Sequence, residues 1–175
     1  MTNLLLQPVD WKIDEGALFE VRRHMSPATG SYTEYTSHMR MGQLPLVHIT
    51  LGRNPETGQR KVARGVIAIG RFAVGLVSFG QVAVGGIAIG QASFGAFALG
   101  QLAISATVAF GQASVAPLFA LGQVAVAHTA IGQVAVGEYA MGQEATGTHT
   151  LDAEAKGPAS RGALPAIPNS VVTAA

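Results

Sequence analysis

Cysteine is absent, which excludes disulfides and thiolate metal sites. Charge is scarce. Asp, Glu, Lys and Arg make up 12% of the 175 residues and nearly cancel, leaving a net charge of +1. That balance gives no field to steer nucleic acid, and the one basic run is the short "RNPETGQRK", Arg53 to Lys61. Between Phe72 and Gly137 there is no Asp, Glu, Lys or Arg at all. The first residues, "MTNLLLQPVDWKIDEG", lack the basic n-region and long apolar h-region of a secretory signal. A cytoplasmic or membrane-associated location is therefore expected rather than a secreted one.

In place of charge the chain has glycine, 22 residues, and a repeat. Written in tens it runs "KVARGVIAIG", "RFAVGLVSFG", "QVAVGGIAIG", "QASFGAFALG". Two eleven-residue copies follow, "QLAISATVAFG" and "QASVAPLFALG", then "QVAVAHTAIG", "QVAVGEYAMG" and a decaying "QEATGTHTLD". A fixed period of this kind is the signature of a solenoid. In the eight full copies, two positions admit only Ala or Ser: the third and, allowing for the extra residues, the eighth. They include Ala73, Ser78, Ala83, Ala88, Ser93, Ala98, Ala103 and Ala109. The tenth position is always Gly, and the second, fourth, seventh and ninth are mostly apolar but vary from Ala to Phe. A site that accepts Ala and Phe alike is not in a close-packed interior, whereas one restricted to Ala or Ser is.

Strand geometry converts the pattern into an all-β fold, because side chains alternate between faces. Two short strands such as 82–84 and 87–89, joined by glycine corners, make one coil of about ten residues. Ala83 and Ala88 then meet inside, and glycine is expected to supply corner dihedrals that other residues resist. Eight to nine such coils, stacked about 4.8 Å apart by parallel hydrogen bonding, form a narrow β-solenoid over residues 61–151. The first position becomes an edge ladder of Gln81, Gln91, Gln101, Gln112, Gln123, Gln133 and Gln143, whose amides are expected to bond to one another.

This frame resembles the ten-residue coils of certain insect antifreeze solenoids, with Ala or Ser where those carry inward cysteines. The resemblance covers coil geometry over roughly residues 61–151. Ice binding in that family uses flat arrays of outward Thr or Tyr, and this chain has Val, Ile, Phe and Leu there, so the activity is not implied. The stretch "LPLVHITLGRNPETGQRKVARGVIAIG" also resembles Gly-rich bacterial repeat proteins of unknown function, which implies no activity.

Two other readings stay open from residues alone. The charge-free stretch is long enough for about three membrane helices, although glycines five apart advance about 500° and spiral around a helix instead of forming one face. A twenty-residue square coil of the pentapeptide-repeat kind shares the five-residue step, and would point Val and Phe inward and Ala outward.

Residues 1–60 read as a β-rich cap. Strands are expected at "ALFEVRR", "SYTEYTSHMRM" and "LPLVHITLG", with "RNPETGQR" as a hairpin turn around Pro55 and Gly58. Residues 152–175, rich in Ala, Pro, Ser and Thr, read as an extended tail that is disordered alone and serves as an assembly arm. At the end of the repeat, Glu144, Thr148, His149 and Asp152 introduce polarity, as a stop or a docking end.

The solenoid reading leaves both flat faces apolar. Phe72, Val74, Val84, Phe94 and Ile104 lie on one, and Phe79, Ile89, Leu99, Phe110 and Leu121 on the other. About thirty such side chains at ~50 Å² each amount to roughly 1,500 Å², several times an ordinary surface patch. The expected function is structural: homo-oligomers or filaments built through these faces, with the chain itself as partner. A membrane-embedded solenoid is the alternative, since the charge-free stretch would rise about 31 Å and place lipid against the faces. A binding module for an apolar protein comes third.

Chemistry is sparse. His24, His38, His48, His128 and His149 form no metal spacing, and Ser78, Ser93 and Ser114 have no base near them in sequence. Trp11, Tyr32 and Tyr35 suggest a small ligand site or, more simply, cap packing. Asp14 and Glu15 are the only adjacent acids in the cap region. No enzyme, cofactor, metal, nucleic acid or small-molecule substrate is expected.

Overall fold

A computed structural model describes residues 9–26 and 30–152, and every regular element among them is a strand. Three strands open the fold as an antiparallel meander: β1 (Lys12–Glu15), β2 (Phe19–Ser26) and β3 (Gly30–Ser37). A two-stranded ribbon of β4 (Arg40–Met41) and β5 (Leu44–Pro45) follows. It turns at Gly42, whose φ of 64° suits glycine. β6 (Val47–Gly52) then pairs antiparallel with β3. "SYTEYTSHMRM" and "LPLVHITLG" are each split in two, so that the ribbon folds off the sheet.

The repeat follows as β7 (Ala63–Gly70), β8 (Phe72–Val115), β9 (Phe119–Val126), β10 (Thr129–Val136), β11 (Tyr139–Thr146) and β12 (His149–Asp152). All pair in parallel, each coil on the one before. The register is ten residues, as in Ala63↔Ala73 and Ala130↔Ala140. It becomes eleven at Ala109↔Ala120 and Ser114↔Ala125, where the two longer copies sit. The chain is a β-solenoid of about nine coils around residues 63–151, with no helix that could cross a membrane among the described residues. The tail expectation falls on residues outside those described.

Each coil has two walls. The front wall carries positions two to four and the back wall positions seven to nine. Ala63, Ala68, Ala83, Ala88, Ala103, Ala109, Ala120 and Ala125 are fully buried between them, as are Ser78 and Ser93. The Val, Ile, Leu and Phe of positions two, four, seven and nine face outward. This rules out the square coil with Val and Phe inside. Three of the buried serines are satisfied through the backbone: Ser78 donates to the Ile87 carbonyl, Ser93 to Leu102 and Ser114 to Val124, whereas the Ser105 hydroxyl, at a fifth position, has no partner among the described residues. Each of these three bonded hydroxyls therefore ties one coil to the next.

The corners correct one expectation. No glycine of the repeat has a positive φ; among the described residues the four that do are Gly30, Gly42, Gly52 and Gly58, all before it. The repeat needs glycine for space. A Cβ on Gly100 would fall under 3.0 Å from the Gly90 carbonyl oxygen one coil below, and the same holds at Gly90 over Gly80. Side chains at the fifth position occur at Ser105 and Ala116, in the two eleven-residue coils, and at Ala127 directly above. The extra residue re-routes those corners. Thr107 donates its hydroxyl to the Ala96 carbonyl at the first, and Pro117, without an N–H, interrupts the strand at the second.

The cap continues only one wall. β6 pairs with the back-wall part of β7, from Val47↔Ile67 to Thr50↔Gly70, and β3, β2 and β1 extend that same sheet outward. The front wall begins at Ala63, and its backbone is met by side chains of β6. The Arg64 N–H donates to His48 Nδ1 at 2.8 Å, and the Thr50 hydroxyl donates to the Lys61 carbonyl at 3.1 Å. An open strand edge is closed in this way without another strand. The connection from β6 to β7 does hold a tight turn, with Asn54 N–H to the Gln59 carbonyl at 2.8 Å and Gly58 at a φ of 66°. It is not a β-hairpin, because the strands it joins run parallel.

Candidate assembly surface and the capping cluster

Strand alternation brings the outward residues into two continuous fields. On the front wall Phe72, Val74, Val84, Phe94 and Ile104 are exposed, and on the back wall Phe79, Leu99, Phe110 and Leu121; Ile89 is half-buried between its neighbours. Phe97, on the same back wall, is among the most open, at 51%. Phe110 and Phe119 pack against each other across coils with ring centroids 5.9 Å apart. The back-wall field also runs down into the cap, since Val47 and Ile49 of β6 lie in register with Ile67 and Ile69.

The fields end in polar residues. On the front wall Glu144 lies beside Val134 and Thr146 beside Val136. On the back wall His149 stacks on Tyr139 with centroids 4.9 Å apart, and His128 meets Tyr139 edge-on while its Nδ1 lies 3.1 Å from Glu138. Thr150 occupies the inward eighth position of the last coil, and its buried hydroxyl has no partner.

The glutamines do form one exposed edge. Gln81, Gln91, Gln101, Gln112 and Gln123 line a single shallow groove, with Gln133 and Gln143 in the same position of later coils. The expected amide ladder is not made: no hydrogen bond joins one of these side chains to the next among the described residues. Exposed amides lose little by bonding to water instead.

Sequence reasoning missed a buried cluster in the cap. Glu34 accepts hydrogen bonds from Tyr32 Oη at 2.9 Å, His48 Nε2 at 2.8 Å and Lys61 Nζ at 2.5 Å. His48 Nδ1 lies 2.8 Å from the Arg64 N–H and 3.2 Å from the Arg64 carbonyl, so the ring bridges the Arg64 backbone and Glu34. Burial pushes the Glu34 carboxyl up, but the three donors outweigh it and hold it at about 2. Burial, then the hydrogen bond to Glu34, raises the Tyr32 hydroxyl well above its ordinary range. With both ring nitrogens engaged, His48 orients the front-wall edge. The available signal was the alternation in "GSYTEYTS", which puts Tyr32, Glu34 and Thr36 on one face.

The other residues named from sequence divide. Trp11 packs edge-on against Tyr32 at 5.7 Å and donates from Nε1 to Glu56 at 3.0 Å. Tyr35 lies on the opposite face of β3, so the three aromatics do not form one site. His24 and His38 lie within hydrogen-bond reach of backbone carbonyls of Asp10 and Gly16. No group of three His, Cys, Asp or Glu that could hold a metal occurs among the described residues. No family model, no curated protein and no solved structure matches the chain.

Proposed function

We propose that this protein is a structural, self-assembling solenoid whose copies pack laterally through the two apolar faces. One observation carries the reading: both walls present exposed Val, Ile, Leu and Phe over successive coils, with no charge from Phe72 to Gly137. Each face offers on the order of 700 Å² of apolar surface, close to the ~800 Å² per partner of a standard interface. Two opposed faces propagate contacts in two directions, giving filaments, sheets or rings where one face would give a dimer. The glutamine edge remains for solvent. The likeness to ten-residue antifreeze coils extends, in this reading, to the frame and not to ice.

The test is sedimentation velocity and negative-stain microscopy of full-length protein without detergent. Particles much larger than a monomer are expected. Val84→Glu with Val124→Glu, on the front wall, should leave dimers joined by back walls; adding Phe97→Glu should leave monomers. A monodisperse wild-type monomer would overturn the proposal, as would a defined small oligomer that the face variants do not alter. The second reading is a membrane-embedded solenoid, favoured by a charge-free height of about 31 Å against a hydrocarbon core of ~30 Å. It requires protein that stays with membranes through an alkaline wash and needs detergent to leave them.

A further inference from the structure

Where the front wall ends, the interior of the cap opens. A cavity of about 600 Å³ lies there, within the size range of small-molecule sites. Its floor is one face of β2 and β3, where Glu20 pairs with Thr36 and Arg22 with Glu34. The β4–β5 ribbon contributes Arg40, Leu44 and Pro45, and the start of the front wall contributes Lys61, Val62 and Arg64.

The charges in this lining do not cancel. Glu20 is taken by Arg22 at 2.6 Å, and Glu34 by Lys61, His48 and Tyr32. Both carboxylates are thus occupied. Arg40 and Arg64 have no ion-pair partner among the described residues. Four cations face two carboxylates, leaving two positive charges beside an apolar wall of Leu44, Pro45 and Val62. The backbone of Arg64 is held by the His48–Glu34 relay, so one of the two arginines stands on a fixed segment.

We propose that this cavity is a binding site for a small dianion bearing carboxylate or phosphate groups, held by Arg40 and Arg64. Guanidinium forks match both oxyanions by paired hydrogen bonds. The apolar wall fits a short carbon skeleton better than a bare ion. The site adjoins the front-wall face, since Arg64 lies in register with Val74, but it is read by anion binding and not by particle size, so its failure is distinguishable from that of self-assembly.

Titration calorimetry of the full-length protein tests it, with inorganic phosphate and with succinate, against sodium chloride at matched ionic strength. At least one dianion should bind and raise the melting temperature where chloride does not. Binding of phosphate alone assigns a phosphoryl ligand, and of succinate alone a carboxylate. Arg40→Gln and Arg64→Gln should each weaken binding about tenfold or more, while Arg53→Gln, outside the cavity, should not. Wild-type amide NMR shifts on adding the anion provide a readout independent of variant folding, and should concentrate at Arg40, Leu44, Lys61 and Arg64. The proposal is overturned if neither anion exceeds chloride, if shifts fall elsewhere, or if Arg53→Gln weakens binding as much as the cavity variants.

Discussion

The cap and the repeat share one sheet, yet their interiors are built from opposite materials. Ile49 of the cap is in register with Ile69 of the repeat, and on the inner side His48 is in register with Ala68 and Thr50 with Gly70. Above that line the space between walls holds only Ala, Ser and an occasional Thr. Below it the space holds Tyr32, Glu34, His48 and Thr50. The difference is the number of walls. Two walls closed by a corner every five residues leave room for a methyl or a hydroxymethyl. One wall leaves half of the interior open, and long polar side chains fill it and cap the edge that the missing wall exposes. Glycine divides in much the same way: before the repeat Gly30, Gly42, Gly52 and Gly58 take a positive φ, and within the repeat glycine serves clearance between coils.

The strongest challenge to this contrast is overpacking between two walls. Ala88→Phe or Ala98→Phe should unfold the coils around it, costing more than the roughly 1–3 kcal/mol of overpacking in ordinary cores. The measurement is loss of the β circular dichroism signal. If Phe is tolerated there, the two-wall interior is wrong.

Next in size are the glycines. Gly→Ala stabilises by about 0.4–1 kcal/mol where the backbone permits it. Gly100→Ala should do the opposite, because its Cβ would meet the Gly90 carbonyl. Asn tolerates a left-handed φ, and a Cβ at Gly58 meets nothing within 4 Å. Gly58→Asn should therefore be nearly neutral and Gly100→Asn disruptive. Similar thermal melts for the two would erase the distinction between φ and space.

Smaller effects belong to the capping cluster. Glu34→Gln or His48→Ala should cost about 1–3 kcal/mol, by leaving buried donors or acceptors unpaired. The folded carboxyl of Glu34 lies below its ordinary value of 4.5, at about 2. Its stabilisation is therefore present above the ordinary value and is lost as pH falls from about 4.5 towards 2. Hydrogen exchange of β3 and β6 should show that acid loss in the wild type and less of it in Glu34→Gln. Equal acid sensitivity in both would remove Glu34 as its source. Least costly to the fold is Val84→Thr on the outer face, within about 0.5 kcal/mol. A large drop in melting temperature would mean that Val84 is packed inside.

Much of the repeat could be read directly. The restriction of Ala83, Ala88, Ser93 and Ala98 to small residues pointed to the interior, and the size variation at Phe72, Val82 and Ala92 to the exterior. Strand alternation separates the two sets, and the structure decides between this arrangement and the square coil with Val and Phe inside. The cap was legible only as strands. Nothing in the spacing of Glu34, His48 and Lys61 brings them together, because their meeting depends on β3 and β6 being antiparallel and on a front wall that begins at residue 63. The turn at Gly58 was legible as a turn, but whether its flanking strands pair with each other is a question of topology. The glutamine edge was legible as a row, whereas its hydrogen bonding depended on competition with water.

The sequence by itself determined the period of about ten residues, the two positions restricted to Ala or Ser, and the absence of charge from Phe72 to Gly137. The two walls and Ala facing inward were its preferred reading, and were decided against the square coil by the structure. The period and the restricted positions follow from the local pattern, which needs no knowledge of distant residues. Tertiary structure alone decided why the glycines are glycines, how the front wall is closed at its first edge, and where a polar cavity with two unpaired arginines arises. Those depend on atoms brought together from different coils or strands, and such distances are set by packing and register.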